Sequence, residues 1–293
     1  EAGMHSPWIS RLIDESGCRA IVANPRKLRA IFQNDRKCDE LDARMLAKLA
    51  RADESLLYPI EHGSERAQRD LIRVKLRDNL VRQRVDVISS VRFSLKSLGI
   101  RLPSPNTTCF AKRARKLLEQ EEPEMLEAIE SSLEVIDLMT KKIRQLDREI
   151  EAICEVSYPE TARLRKIRGI GPITALTFVL AIGDPSRFER PRDVGAYLGL
   201  VPKRDQSGDT DKRLGISKAG NAYLRRLLVG SANYLLGPFG EDCDLRTQGL
   251  KLVERGGRGA KKKAVVAVAR KLAVVMLAVW QSGVDYEPIR KAA

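Results

Sequence analysis

Two glycines one residue apart, Gly169 and Gly171, have the type and spacing that say most about the chemistry of this chain. Glycine forms tight turns and lets backbone amides approach a phosphate closely at the start of a helix. Ile167, Ile170 and Ala175 are spaced to pack two short helices around that turn. The pattern predicts a helix-hairpin-helix that contacts DNA phosphates. A C-cap glycine followed by a proline at the next helix start explains part of the pattern, but not the two glycines together with the apolar residues around them.

Asp39 and Asp42 are three residues apart in a predicted helix, so their carboxylates share one face. Two such carboxylates repel each other unless a cation lies between them. They also complement the dipole at a helix start, which is the more ordinary role of acids in a first turn. Ser217 precedes a basic helix-forming stretch, at a position typical of an N-cap.

The composition indicates a polyanionic partner. The 293 residues include 53 Lys and Arg against 39 Asp and Glu, a net charge of +14, and nucleic acid is the default partner for such a balance. Aromatic residues are only 5%, which argues against base stacking on aromatic platforms as the main mode of binding.

The cysteines and the apolar segments narrow the class further. The five cysteines are scattered, without Cys-x-x-Cys spacing, which argues against a disulfide framework and a zinc site. The apolar run from Ala264 to Trp280 is interrupted by Arg270 and Lys271, and it predicts a buried helix rather than a membrane span. We expect a cytoplasmic protein that does not contact a membrane. No signal peptide is visible, and position 1 is not Met, so we expect an incomplete start.

Periodicity predicts the main elements. A helix over 8–15 precedes a short buried strand over 19–25, and a long basic helix runs over 65–98. A second long helix begins near Lys112 and carries an apolar seam whose steps of three and four predict self-association through residues 120–154. An apolar helix over 173–182 follows the glycine turn, and a polar loop over 203–211 precedes Ser217.

From Leu164 to Trp280 the chain resembles the C-terminal domain of bacterial insertion-sequence transposases related to the Piv DNA invertases, a group of bridge-RNA-guided recombinases. The hairpin is followed, in the family's order, by residues 196–202 (AYLGLVP), 215–221 (GISKAGN), 223–228 (YLRRLL) and 261–272 (KKKAVVAVARKL). Upstream, Glu1-Ala2-Gly3 resembles the end of the strand that carries the family's Glu. Lys37-x-Asp39-x-x-Asp42-Ala43 resembles its paired Asp motif.

The resemblance implies a mixed, mainly α fold with three parts. Residues 1–58 would be a truncated, partial RuvC-like (RNase H-like) α/β domain. Residues 59–157 would be the basic helix and a coiled-coil arm, and residues 158–293 a helical C-terminal transposase domain with the helix-hairpin-helix.

The resemblance also implies an activity, in which Mg²⁺-assisted cleavage and exchange of DNA strands proceed through a serine nucleophile. Ser217 would be that nucleophile, and Glu1, Asp39 and Asp42 would hold the metal. We expect DNA contacts from Gly169, Gly171, Lys218, Arg225, Lys261, Lys262 and Lys263. The basic helix would bind a structured guide RNA through Arg66, Arg69, Arg73, Arg77 and Arg84. The protein would be a dimer or tetramer associated with the bacterial nucleoid.

One departure from the family pattern bears on activity. The family has a first Asp on a strand upstream of the Glu, and this chain begins at the Glu. We therefore expect an N-terminal truncation with weakened metal binding and little activity. The alternative function is a catalytically dead, nucleic-acid-binding remnant of such an element. A structure-specific nuclease or repair protein would share the hairpin but does not explain residues 215–218.

Overall fold

The structure is a computed structural model that describes residues 1–28, 38–102, 106–207 and 210–289, with the side chains of 205, 207 and 210–213 excepted. The described chain is mainly α-helical, as expected, and divides into two compact units, Glu1–Ser64 and Glu65–Ala293. The basic helix and the arm therefore fold together with the C-terminal region. All five cysteines are free, which agrees with their scattered spacing.

The first unit contains helix α1 (Ser6–Glu15) and helix α2 (Asp39–Ala52). The strand expected over 19–25 is wrong: no strand forms among the described residues of this unit. The segment forms three scattered backbone bonds with its neighbours: Ala2 N donates to Ala23 O, Asn24 N to Leu57 O and Ile60 N to Val22 O. Its apolar side chains nevertheless form a small core with α2, in which Ala23, Leu28 and Leu57 are buried.

In the second unit, helices α3 (Glu65–Ser97), α4 (Phe110–Glu121) and α5 (Pro123–Ser157) form the arm. Helix α3 confirms the long basic helix. The second long helix is in fact two, because Pro123 begins a new helix at its first position. Pro103 and Pro105, expected to end the basic helix, lie outside the described residues.

The apolar seam of α5 is buried within the chain. The expectation of self-association through residues 120–154 assumed that this seam was uncovered, and that assumption is wrong. Leu133 and Ile136 pack with Ile88 of α3 and Phe110 of α4. Farther along α5, Ile150 and Cys154 pack with residues of α3 and of the apolar helix beyond the glycine turn. The seam is thus the inner face of an intrachain helix packing, so it supplies no argument for an oligomer.

The C-terminal region begins with the short helix α6 (Glu160–Leu164), the glycine turn, helix α7 (Pro172–Ile182) and the four-residue helix α8 (Val194–Tyr197). Two antiparallel strands, β1 (Pro202–Ser207) and β2 (Thr210–Ile216), follow. They replace the polar loop expected over 203–211. Helices α9 (Ala222–Leu235), α10 (Asp244–Glu254) and α11 (Ala260–Ser282) complete the described region.

Helix α11 lies at the centre of the core, as expected for a buried helix. It is the one described helix that is long and apolar enough to cross a membrane by length and composition. Leu272, Ala273 and Met276 on this helix have no exposed surface and pack with α7 and α9 in one cluster. Helix α10 crosses it closely at Gly249, where an added Cβ would lie 2.7 Å from a methyl carbon of Val268.

Candidate functional site

Ser217 lies in a loop that is held by backbone contacts with a second loop, residues 198–201. The amide of Ser217 donates to Val201 O at 2.8 Å, and the amide of Lys218 donates to Gly199 O at 3.1 Å. Because both bonds are formed by the backbone, the position of the serine depends on this pairing and on the end of strand β2. The two loops together form the support for the Ser217 side chain.

Two glycines allow the loops to approach this closely. Gly199 and Gly220 both have positive φ, of 68° and 67°. A Cβ on Gly199 would lie 2.2 Å from Ala219 N, and a Cβ on Gly220 would lie 2.1 Å from Tyr197 O. No side chain fits at such distances, so glycine is required on both sides of the contact.

The backbone beside the serine is also strained. Lys218 has a φ of 55°, in the left-handed region that residues other than glycine adopt at an energetic cost. Such strain persists only where surrounding structure fixes it, and it is concentrated at functional sites. Here the fixing contacts are the bond from the Lys218 amide and the close approach at Gly220.

The Ser217 hydroxyl is not a helix cap, which corrects the N-cap interpretation. Helix α9 begins later, at Ala222, and Asn221 caps it by accepting hydrogen bonds from Tyr223 N and Leu224 N. The Oγ atom of Ser217 is buried and has no hydrogen-bond partner within the described part of the chain. A buried polar atom without a partner is unfavourable by about 1–3 kcal/mol and calls for a functional explanation.

Arg225, expected to contact DNA, instead bonds to both loops. Its Nη1 atom donates to Leu198 O at 2.9 Å and to Ala219 O at 2.6 Å. Because these carbonyls belong to the two loops that hold Ser217, the geometry gives Arg225 a positioning role. The neighbouring Arg226 forms an ion pair of 2.5 Å with Asp78 of α3.

A large basic cavity lies beside this loop pair. Its volume is about 1210 Å³, and its walls comprise residues 214–216, Leu200, Pro202 and parts of helices α10 and α11. The cavity contains apolar side chains and six cationic residues but no acidic residue: Lys251, Arg255, Lys262, Lys263, Arg270 and Lys271. Two of the three lysines expected to bind DNA, Lys262 and Lys263, thus face this cavity, while Lys261 lies outside its lining.

Four of these cations were missed in the sequence. Arg270 and Lys271 were interpreted only as interruptions of an apolar run. Their signal is helical spacing, because 263, 267, 270 and 274 fall on one face of α11 and all line the cavity. Arg270 also lies against α8, where a Cβ on Gly195 would meet its Cγ at 3.0 Å.

The glycine turn forms a second, shallower concavity of about 510 Å³, lined by residues 165–171, Tyr234 and Glu241. Gly169 has a φ of 79°, and an added Cβ would lie 3.1 Å from Leu235 Cγ. Gly171 is the N-cap residue of α7. The cations of the turn are paired, since Lys166 contacts Asp285 at 2.5 Å and Arg168 contacts Glu241.

The predicted metal ligands lie in the first unit. Asp39 and Asp42 both stand in the first turn of α2, where Asp39 is exposed and Asp42 is half-buried, and Glu1 is exposed at the chain start. Lys37 of the same motif lies outside the described residues. Across the described ranges, no group of three or more His, Cys, Asp and Glu side chains is placed to hold a metal ion. These residues therefore do not form a complete protein cage for Mg²⁺.

The five arginines expected to bind RNA divide into two groups along α3. Arg69 and Arg73 are exposed and form ion pairs on their own helix with Glu65 and Asp70. Arg66 donates to Ser157 Oγ at 2.5 Å.

The other two arginines stabilise the packing of α3 on α5. Arg77 pairs with Asp147 at 2.7 Å. Arg84 is 5% exposed and donates to Thr140 and Thr107, and burial lowers its pKa. A side chain so enclosed is unavailable to RNA. The expectation that Arg84 contacts RNA is therefore replaced by a structural role between α3 and α5.

Comparison with known proteins gives consistent matches. The family model described as "Transposase IS116/IS110/IS902 family" matches residues 161–237, which contain the glycine turn and Ser217. A transposase for insertion sequence element IS1328 from Yersinia enterocolitica is 30% identical over 234 residues, covering 79% of this chain and 67% of the relative. A transposase for insertion sequence element IS1111A from Coxiella burnetii is 31% identical over 210 residues, covering 70% of this chain.

A pilin gene-inverting protein from Moraxella bovis is 32% identical over 142 residues, which is 47% of this chain and 42% of the relative. The chain spans 56% of the length of the Coxiella burnetii relative. These relatives are transposases and a gene-inverting protein by name, so the matches agree on DNA rearrangement.

Proposed function

Because this chain belongs to the IS116/IS110/IS902 family of transposases, we propose that it cleaves and exchanges DNA strands of an insertion sequence with Ser217 as the nucleophile. The family relation supports transposition or recombination in general, and the geometry around Ser217 supports the choice of nucleophile. The single observation that carries the proposal is the buried Oγ atom without a partner, held in a strained loop.

The other hydroxyls that could replace Ser217 are less suited. Tyr223 lies near α3, where burial, together with Asp78, raises its pKa to about 12, which disfavours the phenolate. Ser231 is 7% exposed within α9. Neither lies in a strained loop, so Ser217 is the better nucleophile.

The reaction exchanges one phosphate ester for another. Ser217 Oγ bonds to the phosphorus of the scissile phosphate as the bond from phosphorus to the departing strand end breaks, and the serine proton ends on the departing oxygen. The phosphoseryl link keeps the ester energy for rejoining to a second strand. Because Oγ is buried, the loop pair must open for this attack.

DNA would be bound through its phosphates. The hairpin with Gly169 and Gly171, the exposed Lys218 and the lysines 261–263 supply amides and cations for that contact. The relation of residues 160–182 to a helix-hairpin-helix belongs to this proposal. In it, Arg225 holds the serine loop rather than a phosphate.

We propose Mg²⁺ as the metal cofactor, with Asp39, Asp42 and Glu1 as the protein carboxylates. Mg²⁺ usually keeps several waters and binds one or two carboxylates together with substrate phosphates. The two carboxylates in the first turn of α2 match the one or two protein ligands that Mg²⁺ needs, although the described residues alone do not complete a site. When bound, the metal would neutralise charge on the reacting phosphate.

The partners in the proposal are DNA, a structured guide RNA and further copies of the chain, as a dimer or tetramer in the bacterial cytoplasm and nucleoid. The exposed Arg66, Arg69 and Arg73 at the start of α3 would contact the RNA. Binding of structured RNA and of duplex DNA, compared at matched salt, tests this role.

A catalytically dead nucleic-acid-binding remnant is the second candidate. The observation in its favour is the absence of a three-group metal cluster within the described residues. Such a protein would keep the basic cavity and the hairpin and would bind DNA without cutting it.

A covalent-adduct assay separates the two candidates. Labelled DNA that carries the ends of the element is incubated with the protein and Mg²⁺, and the adduct is trapped by denaturation. We expect an adduct that disappears in Ser217→Ala with DNA binding unchanged, because only the nucleophilic oxygen is removed. Asp39→Asn or Asp42→Asn should also abolish the adduct.

Tyr223→Phe and Ser231→Ala are the controls for this assay. An adduct that persists in Ser217→Ala would place the nucleophile elsewhere. No adduct from the parent protein, with DNA binding intact, would support the remnant.

A further inference from the structure

The basic cavity beside Ser217 combines two properties that duplex DNA alone does not need. Six cationic residues line it without any acid, and the rest of its lining is mainly aliphatic. Phosphate contacts explain the cations. They do not explain an apolar, concave interior of about 1210 Å³, because the apolar faces of the bases in a duplex are stacked on one another and are not available to a protein surface.

The cations of the cavity are available for a ligand. Lys251, Arg255, Lys262, Lys263 and Arg270 form no ion pair with a carboxylate of the described residues. Lys271 donates a hydrogen bond to Gln248, which is neutral. The like charges of these side chains repel one another. A polyanion in the cavity would reduce that repulsion and would be attracted by the cations.

The cavity is connected to the reactive loop by the chain itself. Gly215 and Ile216 of β2 line the cavity, and Ser217 follows directly, with its amide bonded to Val201 between the lining residues Leu200 and Pro202. A DNA strand in the cavity therefore lies next to the serine loop.

We propose that this cavity binds unpaired nucleotides of the DNA strand that Ser217 cleaves. The inference rests on the proposed function, since strand exchange requires a strand end to leave its duplex beside the nucleophile. The faces of bases exposed by that separation are apolar enough to contact Val266, Ala267 and Val274, while the phosphates of the same strand meet the surrounding cations. Because aliphatic walls form no hydrogen bonds with base edges, binding to them would depend little on base identity.

The test compares fluorescent DNA ligands by anisotropy, without Mg²⁺ and in the Ser217→Ala background. The ligands are a duplex and the same duplex with a short unpaired stretch. The charge variant Lys251→Gln/Arg255→Gln, at two lining cations that carry no predicted duplex contact, should lower the salt slope for the unpaired ligand by about 1.4, at roughly 0.7 per lost contact to a single strand. Arg192→Gln/Lys116→Gln is the matched control, because it removes two exposed cations that do not line the cavity.

A second variant tests the apolar walls without changing charge. Ala267→Leu adds a branched, non-aromatic side chain that narrows the cavity, and it should weaken binding of the unpaired ligand several-fold with little effect on the duplex. Ala267→Ser, which leaves the space open, should bind as the parent does. Circular dichroism confirms that each variant is folded.

The outcomes are distinct. Equal losses on both ligands, or no effect of Ala267→Leu, would overturn the proposal, as would tighter binding of an RNA of the same sequence. Failure of the proposed nucleophile would appear only in the adduct assay, because the binding test uses neither Mg²⁺ nor the serine hydroxyl.

Discussion

The conformation at Ser217 is fixed by residues other than the serine. Gly199 and Gly220 allow two loops to touch through their backbones, and Arg225 bonds to a carbonyl in each. Asn221 caps α9 in place of the serine, which leaves the hydroxyl without a partner. These four residues together fix the position of Ser217, so substitution of either glycine should displace its hydroxyl.

Gly220→Ala should destabilise the protein by at least about 2 kcal/mol, because the new Cβ would clash with Tyr197 O and the positive φ would be strained. Gly215→Ala is the matched control. That position has open space around it, and the change should stay within about 0.5 kcal/mol. Urea unfolding measures both, and equal stabilities of the two variants would contradict the tight contact.

Three of the six tyrosines should titrate late. Burial is the main cause that raises the pKa of Tyr158, Tyr223 and Tyr286 to about 12, and hydrogen bonding to Asp70 contributes at Tyr158. A raised pKa favours the protonated folded state, so this stability is fully present below the ordinary tyrosine pKa of about 10 and is lost as the pH rises toward 12.

Absorbance at alkaline pH follows the tyrosine titration. Tyr158→Phe should remove one late-titrating group from the curve. A single transition near pH 10 for all six tyrosines in the folded protein would refute the expectation.

At the scale of elements, the arm is an intrachain helix packing. Leu133 on α5 has no exposed surface, so Leu133→Ala should cost about 2–5 kcal/mol of unfolding free energy. Leu138→Ala on the same helix, at a side chain that is 57% exposed, should cost less than about 0.5 kcal/mol. Denaturant unfolding checks both, and similar losses would mean that α5 presents a different face.

Sedimentation of the two α5 variants adds a check on the corrected role of the seam. The oligomeric mass should be the same for both, because the seam is already covered by α3 and α4. A lower oligomeric mass for Leu133→Ala alone would indicate that the seam lies in an interface between copies of the chain.

The helices were predictable because their signals are local. The buried residues of α3 and α11 recur every three to four residues, while α7 is apolar almost throughout and Pro172 marks its start. The β1–β2 pair was missed because its strands are polar, with Lys203 and Arg204 where an apolar alternation would have been the signal.

The site was predictable in part. The local sequence around Ser217 favoured an N-cap, and only the family resemblance pointed to a nucleophile. The choice between Ser217 and Asn221 as the cap depends on where β2 ends, which is set by the pairing of Pro202 with Ile216. The fate of Arg84 likewise depends on the register of α3 against α5, and no local pattern fixes that register.

At the scale of the whole second unit, two buried carboxylates on α3 join the arm to the C-terminal region. Asp70 accepts a hydrogen bond from Tyr158 at 3.0 Å, and Asp78 pairs with Arg226 of α9 at 2.5 Å. Asp70 is 4% exposed and Asp78 is 9% exposed, so both contacts are largely shielded from water. The arm and the serine helix are therefore expected to unfold together.

DNA affinity should fall steeply with salt, because the net charge of +14 indicates binding through phosphates. Replacement of Lys261, Lys262 and Lys263 by Gln should reduce the slope of log affinity against log salt by about 2.7 for duplex DNA, at roughly 0.9 per contact. Anisotropy titrations at several salt concentrations measure it. An affinity that does not change with salt would disprove phosphate-dominated binding.

The burial of the Ser217 oxygen has a consequence for how such a protein searches a chromosome. A strongly basic protein slides along large amounts of irrelevant DNA before it meets its own site. While the oxygen has no exposed surface, none of those encounters brings a phosphate to a reactive atom. If Ser217 is the nucleophile, as proposed, such a protein would scan the genome without nicking it, and cleavage would be limited to places where binding itself opens the loop.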